Sequence, residues 1–307
     1  MADSVYEIRL RHAAALRANE KITLPAHLRK PGITNSLGMR LAYVPSGKFG
    51  MGSPLDEPHR EAQEILHEVE LTRAFYLGTH LVTVGQFRKF VDDAKYRTDG
   101  ERDGKGGWGV NEKGSLEKDG RFTWSSPGFK QTNDHPVVLV SWNDAQAYCR
   151  WLSKKENKAY RLPTEAEWER ACRAGTRTAY SFGDDPGDLV THGNVGGSED
   201  GFRYTAPVAQ FKPNRYGLYD MHGNVWEWVS DWYASGYHFP EFLYNPKGPS
   251  RGVMKVRRGG SWSDSINAMA TGYRDWSYPL SRGFNDIGFR CVINIKIKKS
   301  DDISTQD

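Results

Sequence analysis

The sequence predicts a domain of many short strands and long loops that also carries three capped helices. Three observations point there. From "GMRLAYVPSGKFGMGS" onward, apolar runs are short and repeatedly broken by Gly, Pro, Asn and Asp. Glycine is abundant, at 32 of 307 residues. Three stretches nevertheless combine a capping residue with helical periodicity.

Taken in order, the first twenty or so residues form an amphipathic pattern, with Tyr6, Leu10, Ala13 and Ala14 on one stripe. Residues 1–34 are therefore expected to be a helical segment and linker, serving either packing or docking. The first capped helix lies in "TVGQFRKFVDDA", where Thr83 with Gln86 makes a capping box and Phe87, Phe90, Val91 and Ala94 share a face. Residues 95–135 are polar, Gly-rich and aperiodic, and are expected to be a long surface loop inserted in the domain. The second helix is expected after Asn143 as cap with Gln146 at N3, burying Ala145, Tyr148, Cys149 and Leu152. In "LPTEAEWERACRAG" Thr164 caps, Glu167 closes the box, Gly175 offers a left-handed stop, and Trp168, Ala171 and Cys172 face inward. The short-strand texture resumes after residue 135, so no linker divides the chain, and one domain over 35–294 with a disordered 295–307 tail is expected.

Composition narrows the function classes. Lys plus Arg number 42 against 38 Asp plus Glu, and the net charge of +4 is spread along the chain, so nucleic acid is not an expected partner. No apolar run is long enough to span a bilayer and no h-region opens the chain, so no membrane partner and a cytoplasmic location are expected. Cys149, Cys172 and Cys291 lie far apart with no CxxC pair, which indicates neither a disulfide framework nor a cysteine zinc site.

The chemistry concentrates in "GLYDMHGNVWEW". If "GNVWEWVSDW" is a strand, Trp226 and Trp228 point to one face and Val225, Glu227 and Val229 to the other. A carboxylate held against an apolar sheet needs something cationic, and the preceding turn supplies Asp220 and backbone carbonyls, oxygen ligands that suit calcium. "GNVGGSEDGF" similarly offers Asn194 and Asp200 in a glycine-rich turn. From composition alone, ordinary Asx turns are the plainer explanation of both stretches. His222 is expected to be a loop residue, since calcium prefers oxygen and no second His stands at metal spacing.

These stretches, with "RRGGSW", "IGFRCV", "HPVVLVSWNDAQAYCRWLS" and "FGDD" in the same order, resemble the formylglycine-generating enzyme or sulfatase-modifying factor family over most of the chain. The resemblance implies a single α+β domain, a variant of the C-type lectin fold with little regular structure and two structural calcium ions. It implies one site from the side chains of Asn194 and Asp200 with the carbonyls of Val195 and Phe202. The other would use the side chains of Asp220 and Glu227 with the carbonyls of Gly223 and Val225, and both carboxylates would be stranded without the ion.

The family's enzymes oxidise a client cysteine with oxygen and a copper ion held by two thiolates shortly after the "GGS" motif. Here the first thiolate position falls on Asp264 and the second near Met269, and no cysteine occurs between Cys172 and Cys291. Soft Cu(I) needs soft sulfur ligands, so copper and formylglycine synthesis are not expected, and the three cysteines are read as packing residues. Other relatives of the fold work without that pair, among them siderophore-chromophore oxidases and sulfoxide synthases. The histidines here, however, show no HxxxH or HExxH arrangement for iron, and no G-x-S-x-G elbow or Walker A loop is present.

Between "GGSW" and "IGFR" lie Ser263, Asp264, Ser265, Asn267, Tyr273, Asp275, Trp276, Ser277, Tyr278, Phe284, Asn285 and Asp286, aromatic anchors among small polar groups, as in binding paratopes. The variable proteins of diversity-generating retroelements share this fold and change residues in this segment, so the chain is similar to those binders as well. Trp276 and Tyr278 either pack beneath a loop or line a ligand groove. The expected function is therefore binding of a protein or small molecule in a pocket bounded by Trp226, Ser261, Trp262 and the Asp264–Asp286 loop. The rival is an oxygen-dependent oxidoreductase with an altered site, in which Ser261 and Asp264 contribute polar contacts.

Overall fold

Three helices form where caps and periodicity coincide. In the computed structural model, which describes residues 31–235, 242–280 and 285–295, helix α1 spans Val84–Ala94. The Thr83 hydroxyl accepts the Gln86 N–H at 3.2 Å, and the Gln86 side chain accepts the Thr83 N–H at 3.1 Å. Phe87 and Phe90 are buried and Val91 half-buried, but Ala94 is exposed, so the apolar face ends one turn earlier than the periodicity suggests. The first twenty residues, the 296–307 tail and Phe284 lie outside the described residues.

Helix α2, Trp142–Glu156, buries Ala145, Tyr148, Cys149 and Leu152 as expected, but its cap is Ser141 with Asp144, not Asn143 with Gln146. The Ser141 hydroxyl accepts the Asp144 N–H at 3.0 Å while an Asp144 oxygen accepts the Ser141 N–H at 2.8 Å. A third partner decides the start: the Ser141 hydroxyl donates to Asp99 at 2.6 Å, and Asn143 donates to the same carboxylate at 3.3 Å. Helix α3, Glu165–Arg173, is capped by Thr164 and Glu167 as expected, and Trp168, Ala171 and Cys172 are fully buried. It ends one residue before the expected stop, with Ala174 already left-handed at φ 47° and Gly175 following at φ 91°.

The strands are short and fall into four sheets. Five antiparallel strands run in the order Ile33–Thr34, Arg40–Val44, Phe75–Gly78, Val292–Asn294, Tyr160–Arg161. Gly47–Met51 and Phe242–Tyr244 flank His67–Leu71 in a second sheet. The sheet that matters for the site orders Asp275–Ser277, Lys255–Arg258, Trp226–Trp232 and Ile287–Gly288. The fourth is a hairpin of Gly107–Val110 with Leu116–Asp119. That hairpin and a helical turn at Asp99–Arg102 occupy the stretch expected to be aperiodic loop. Its strands, "GWGV" and "LEKD", carry too few apolar residues for alternation to mark them.

The Trp226–Trp232 strand is covered on both faces. Trp226 and Trp228 enter a core with Phe87, Tyr148, Phe289 and Cys291, while Val229 enters another with Val44, Trp168, Cys172 and Val256. The alternation expected from sequence holds, and Glu227 accordingly points away from the indoles, with no exposed surface. The α+β class expected from the sequence is the architecture found. Among the described residues, no helix is long and apolar enough to cross a membrane.

Candidate functional site

Two glycine-rich turns and one loop meet at the N-terminal end of the Trp226–Trp232 strand. In the first turn the Asp200 carboxylate folds back to accept the backbone N–H groups of Val195 and Phe202, each at 2.9 Å. Asn194 is fully buried; its amide nitrogen donates to the Tyr204 carbonyl at 2.7 Å, and its side-chain oxygen has no partner. The second turn bends sharply, with Asp220, Gly223 and Asn224 at φ 56°, 95° and 65°. The Asp220 Oδ2 accepts the Ala209 N–H at 2.9 Å, and Oδ1 has no partner. Burial pushes the Asp200 and Asp220 carboxyls each up to about 6.

The two turns interlock, which the sequence does not reveal. The Asn224 N–H donates to the Asn194 carbonyl at 2.7 Å, and a Cβ on Gly223 would lie 2.2 Å from that same oxygen. His222 is buried in the joint: its ring nitrogens reach the Met269 carbonyl at 2.8 Å and the Ser181 hydroxyl at 2.9 Å, and burial lowers its pKa to about 4.

Glu227 is not stranded. Arg290 donates to both of its oxygens, at 2.6 and 2.7 Å, with both residues lacking solvent exposure. The same guanidinium reaches the carbonyls of Gly78 and Tyr219. The expectation that Glu227 depends on a calcium ion for its counter-charge is thus corrected: its partner comes from "GFRC", 63 residues downstream.

A test of the implied calcium sites therefore turns on the remaining oxygens. Among the described residues, no three His, Cys, Asp or Glu side chains converge on a common metal position. Each turn nonetheless holds one buried, unpartnered hard oxygen, Asn194 Oδ1 and Asp220 Oδ1, the atom type calcium requires. The donor set fits a hard cation, more completely in the 194–202 turn than beside the Arg290-paired Glu227.

The loop expected from the sequence to bound a pocket begins at Ser261, which is fully buried. Its hydroxyl donates to Asp264 and lies 3.3 Å from Asp286 Oδ2, which the Ser263 hydroxyl approaches at 3.2 Å. Burial raises the pKa of both carboxyls; for Asp286 the value reaches about 6, with Arg257 opposing the shift and Asp264 adding to it. Arg257 lies 4.6 Å over the Trp226 ring and donates to Asp275 at 2.7 Å. Tyr273 tilts against Trp226 at 6.1 Å between centroids, and Trp262 stands edge-on to Phe129 and Tyr204.

Thus Trp226, Ser261, Ser263, Asp264, Tyr273, Asp275 and Asp286 come together, with Trp262 beside them. Asn267 does not join them: it lines a cavity of about 540 Å³ with Pro54, Glu57 and Tyr180, which neither Asp264 nor Asp286 borders. Ser265 is exposed at the start of a short turn, Trp276 packs on Tyr233 at the outer strand, and Tyr278 is exposed. Arg257 and Arg290 are not marked by the sequence; the strings "KVRRGGSW" and "GFRC" hold them, but only the fold brings Arg257 opposite Asp275 and Arg290 to Glu227.

The copper position does not fit copper. Asp264 stands where the resemblance puts the first thiolate, and Met269, near where it puts the second, is fully buried beside Tyr180, Leu189 and Val195. The sulfurs of Cys149 and Cys291 lie 3.7 Å apart inside the core, and Cys172 sits 3.7 Å from His222. All three are buried, and burial pushes the Cys172 thiol up to about 12.

Residues 34–295 match the sulfatase-modifying factor enzyme 1-like domain. The chain is 33% identical to the formylglycine-generating enzyme of Bos taurus, covering 91% of this chain and 81% of that one. It is also 33% identical to the inactive C-alpha-formylglycine-generating enzyme 2 of Bos taurus, covering 84% and 89%. Among solved structures, PvdO from Pseudomonas aeruginosa superposes with a TM-score of 0.75 at 31% identity, covering 87% of this chain and all of that one. Treponema denticola variable protein 1 gives 0.68 at 26%, with the same coverage.

Proposed function

The chain belongs to the sulfatase-modifying factor enzyme 1-like family, and from that premise we propose that it is a calcium-stabilised binding module rather than a copper oxidase. The observation that carries this is Asp264, a carboxylate hydrogen-bonded to Ser261 where the resemblance puts a copper thiolate. Every cysteine of the chain is buried elsewhere. Two relatives favour the same direction: one is named as inactive, and another as a variable protein.

The ligand would enter between Trp226, Ser261, Trp262 and the loop from Asp264 to Asp286. Trp226, fixed in the core, supplies a rigid aromatic wall; Ser263 and Asp264, at the rim, supply hydrogen-bonding groups that can adjust. Calcium, when bound, supplies positive charge to the buried oxygens of the two turns. Asn194 and Asp200 with the Val195 and Phe202 carbonyls would hold one ion, and Asp220 with the Gly223 and Val225 carbonyls the other, Glu227 being taken up by Arg290.

Metal analysis of the purified protein, followed by oxygen uptake with a cysteine-containing sulfatase peptide, tests the proposal. Calcium without uptake supports binding. Stoichiometric copper or iron together with turnover would establish the oxidoreductase alternative instead.

A further inference from the structure

The acids of this loop are incompletely paired, as are two buried donors beside them, Trp226 Nε1 and Arg257 Nε. Asp264 and Asp286 converge on one serine: Ser261 Oγ donates to Asp264 and lies 3.3 Å from Asp286 Oδ2. A hydroxyl carries a single proton, so Ser261 cannot serve both carboxylates at once. Ser263 helps at 3.2 Å, but to the same Asp286 oxygen. The other one, Asp286 Oδ1, is buried with no partner on a residue that is 8% exposed. One guanidinium, Arg257, faces three carboxylates, and its hydrogen bond goes to Asp275. A buried carboxylate oxygen left in this condition is costly unless something charged completes it.

From this arrangement we propose that the pocket takes a protonated amine of its ligand, seated against Asp286 and Asp264 and beside the Trp226 ring. The proposal rests on the binding function above and specifies its ligand class. An ammonium is a compact charge with three donors, and the pocket offers Asp286 Oδ1, the Asp264 carboxylate and the serine hydroxyls as acceptors. A divalent metal fits less well. It needs about six hard ligands, whereas only two of the pocket's carboxylates meet at the serines, with an arginine already among them. The raised carboxyl of Asp286 agrees with this, since burial and Asp264 both penalise its charge until a cation arrives.

The test uses the indole N–H resonance of Trp226 in the full chain, titrated with n-butylammonium chloride, n-butanol, or sodium chloride at matched ionic strength. The proposal expects a saturable shift with butylammonium alone, with a dissociation constant on the order of millimolar for so small a probe. Asp286→Asn should weaken it about tenfold or more, as should Asp264→Asn; the latter, at a partly exposed position, decides if the former fails to fold. Equal shifts with butanol would leave a binding pocket standing but remove the amine. No shift with any probe would overturn the proposal, as would selective broadening by MnCl₂ that both variants abolish, which would mark a metal site. Oxygen uptake with the sulfatase peptide judges the binding function separately, whatever butylammonium does.

Discussion

Arg290 and Glu227 form a two-pronged ion pair in the middle of the protein, with both side chains removed from solvent and the guanidinium also holding the Tyr219 carbonyl ahead of the 220–227 turn. Removing one partner leaves an uncompensated buried charge. Arg290→Met is expected to cost about 3–5 kcal/mol in urea unfolding, and Glu227→Gln less, because an amide still accepts one of the two bonds. A loss below about 1 kcal/mol for Arg290→Met would show that the pair is not the turn's anchor.

Calcium removal should be visible as a drop in melting temperature. An ion at a hundredfold excess over its dissociation constant stabilises by about 2.7 kcal/mol, or roughly 4–5 °C for a domain of this size. Asn194→Ala and Asp220→Ala, which delete the two unpartnered oxygens, should each erase most of one site's share. Calorimetric scans with and without chelator check this, and identical curves for the wild-type chain would dispose of both sites.

Gly223→Ala should be among the most damaging substitutions in the chain. Its φ of 95° alone costs about 1–3 kcal/mol for a residue with a side chain. The added methyl also meets the Asn194 carbonyl at 2.2 Å, so the neighbouring turn must move. Chemical denaturation of the variant against the parent measures the sum.

Stability should fall as pH rises from about 4 to 7, in part through Asp231. Burial, reinforced by repulsion from Glu165, lifts its carboxyl from the ordinary 3.8 to about 7, so the folded form binds more protons than the unfolded one in that window. The stabilisation is complete below the unfolded value and lost as pH rises through the folded one. Asp231→Asn keeps an acceptor for the Glu165 N–H and should flatten this part of the melting-temperature profile. An unaltered slope in the variant would assign the trend to other carboxyls.

What the sequence discloses is what depends on near neighbours. Thr83 with Gln86 and Thr164 with Glu167 are legible because both halves of each cap lie three residues apart. Ser141 was passed over for Asn143 because its advantage comes from Asp99, 42 residues away. The same limit hid Arg290 from Glu227 and Arg257 from the pocket acids. It also let Asn267, Trp276 and Tyr278 pass for pocket residues, since composition gathers a segment's residues without saying which way each faces. The 220–227 turn was legible as a place of trouble, a carboxylate among tryptophans, although the first cation to answer it is a guanidinium.

The Gly196 N–H donates to the Asp264 carbonyl at 3.0 Å, tying the 194–202 turn to the wall of the pocket. That bond is a direct physical link between the two proposed sites. By thermodynamic reciprocity, any factor by which a guest at Asp264 alters the affinity of the proposed ion must equal the factor by which that ion alters the guest's. Ion titrations with the pocket empty and filled would read that factor twice, once from each end.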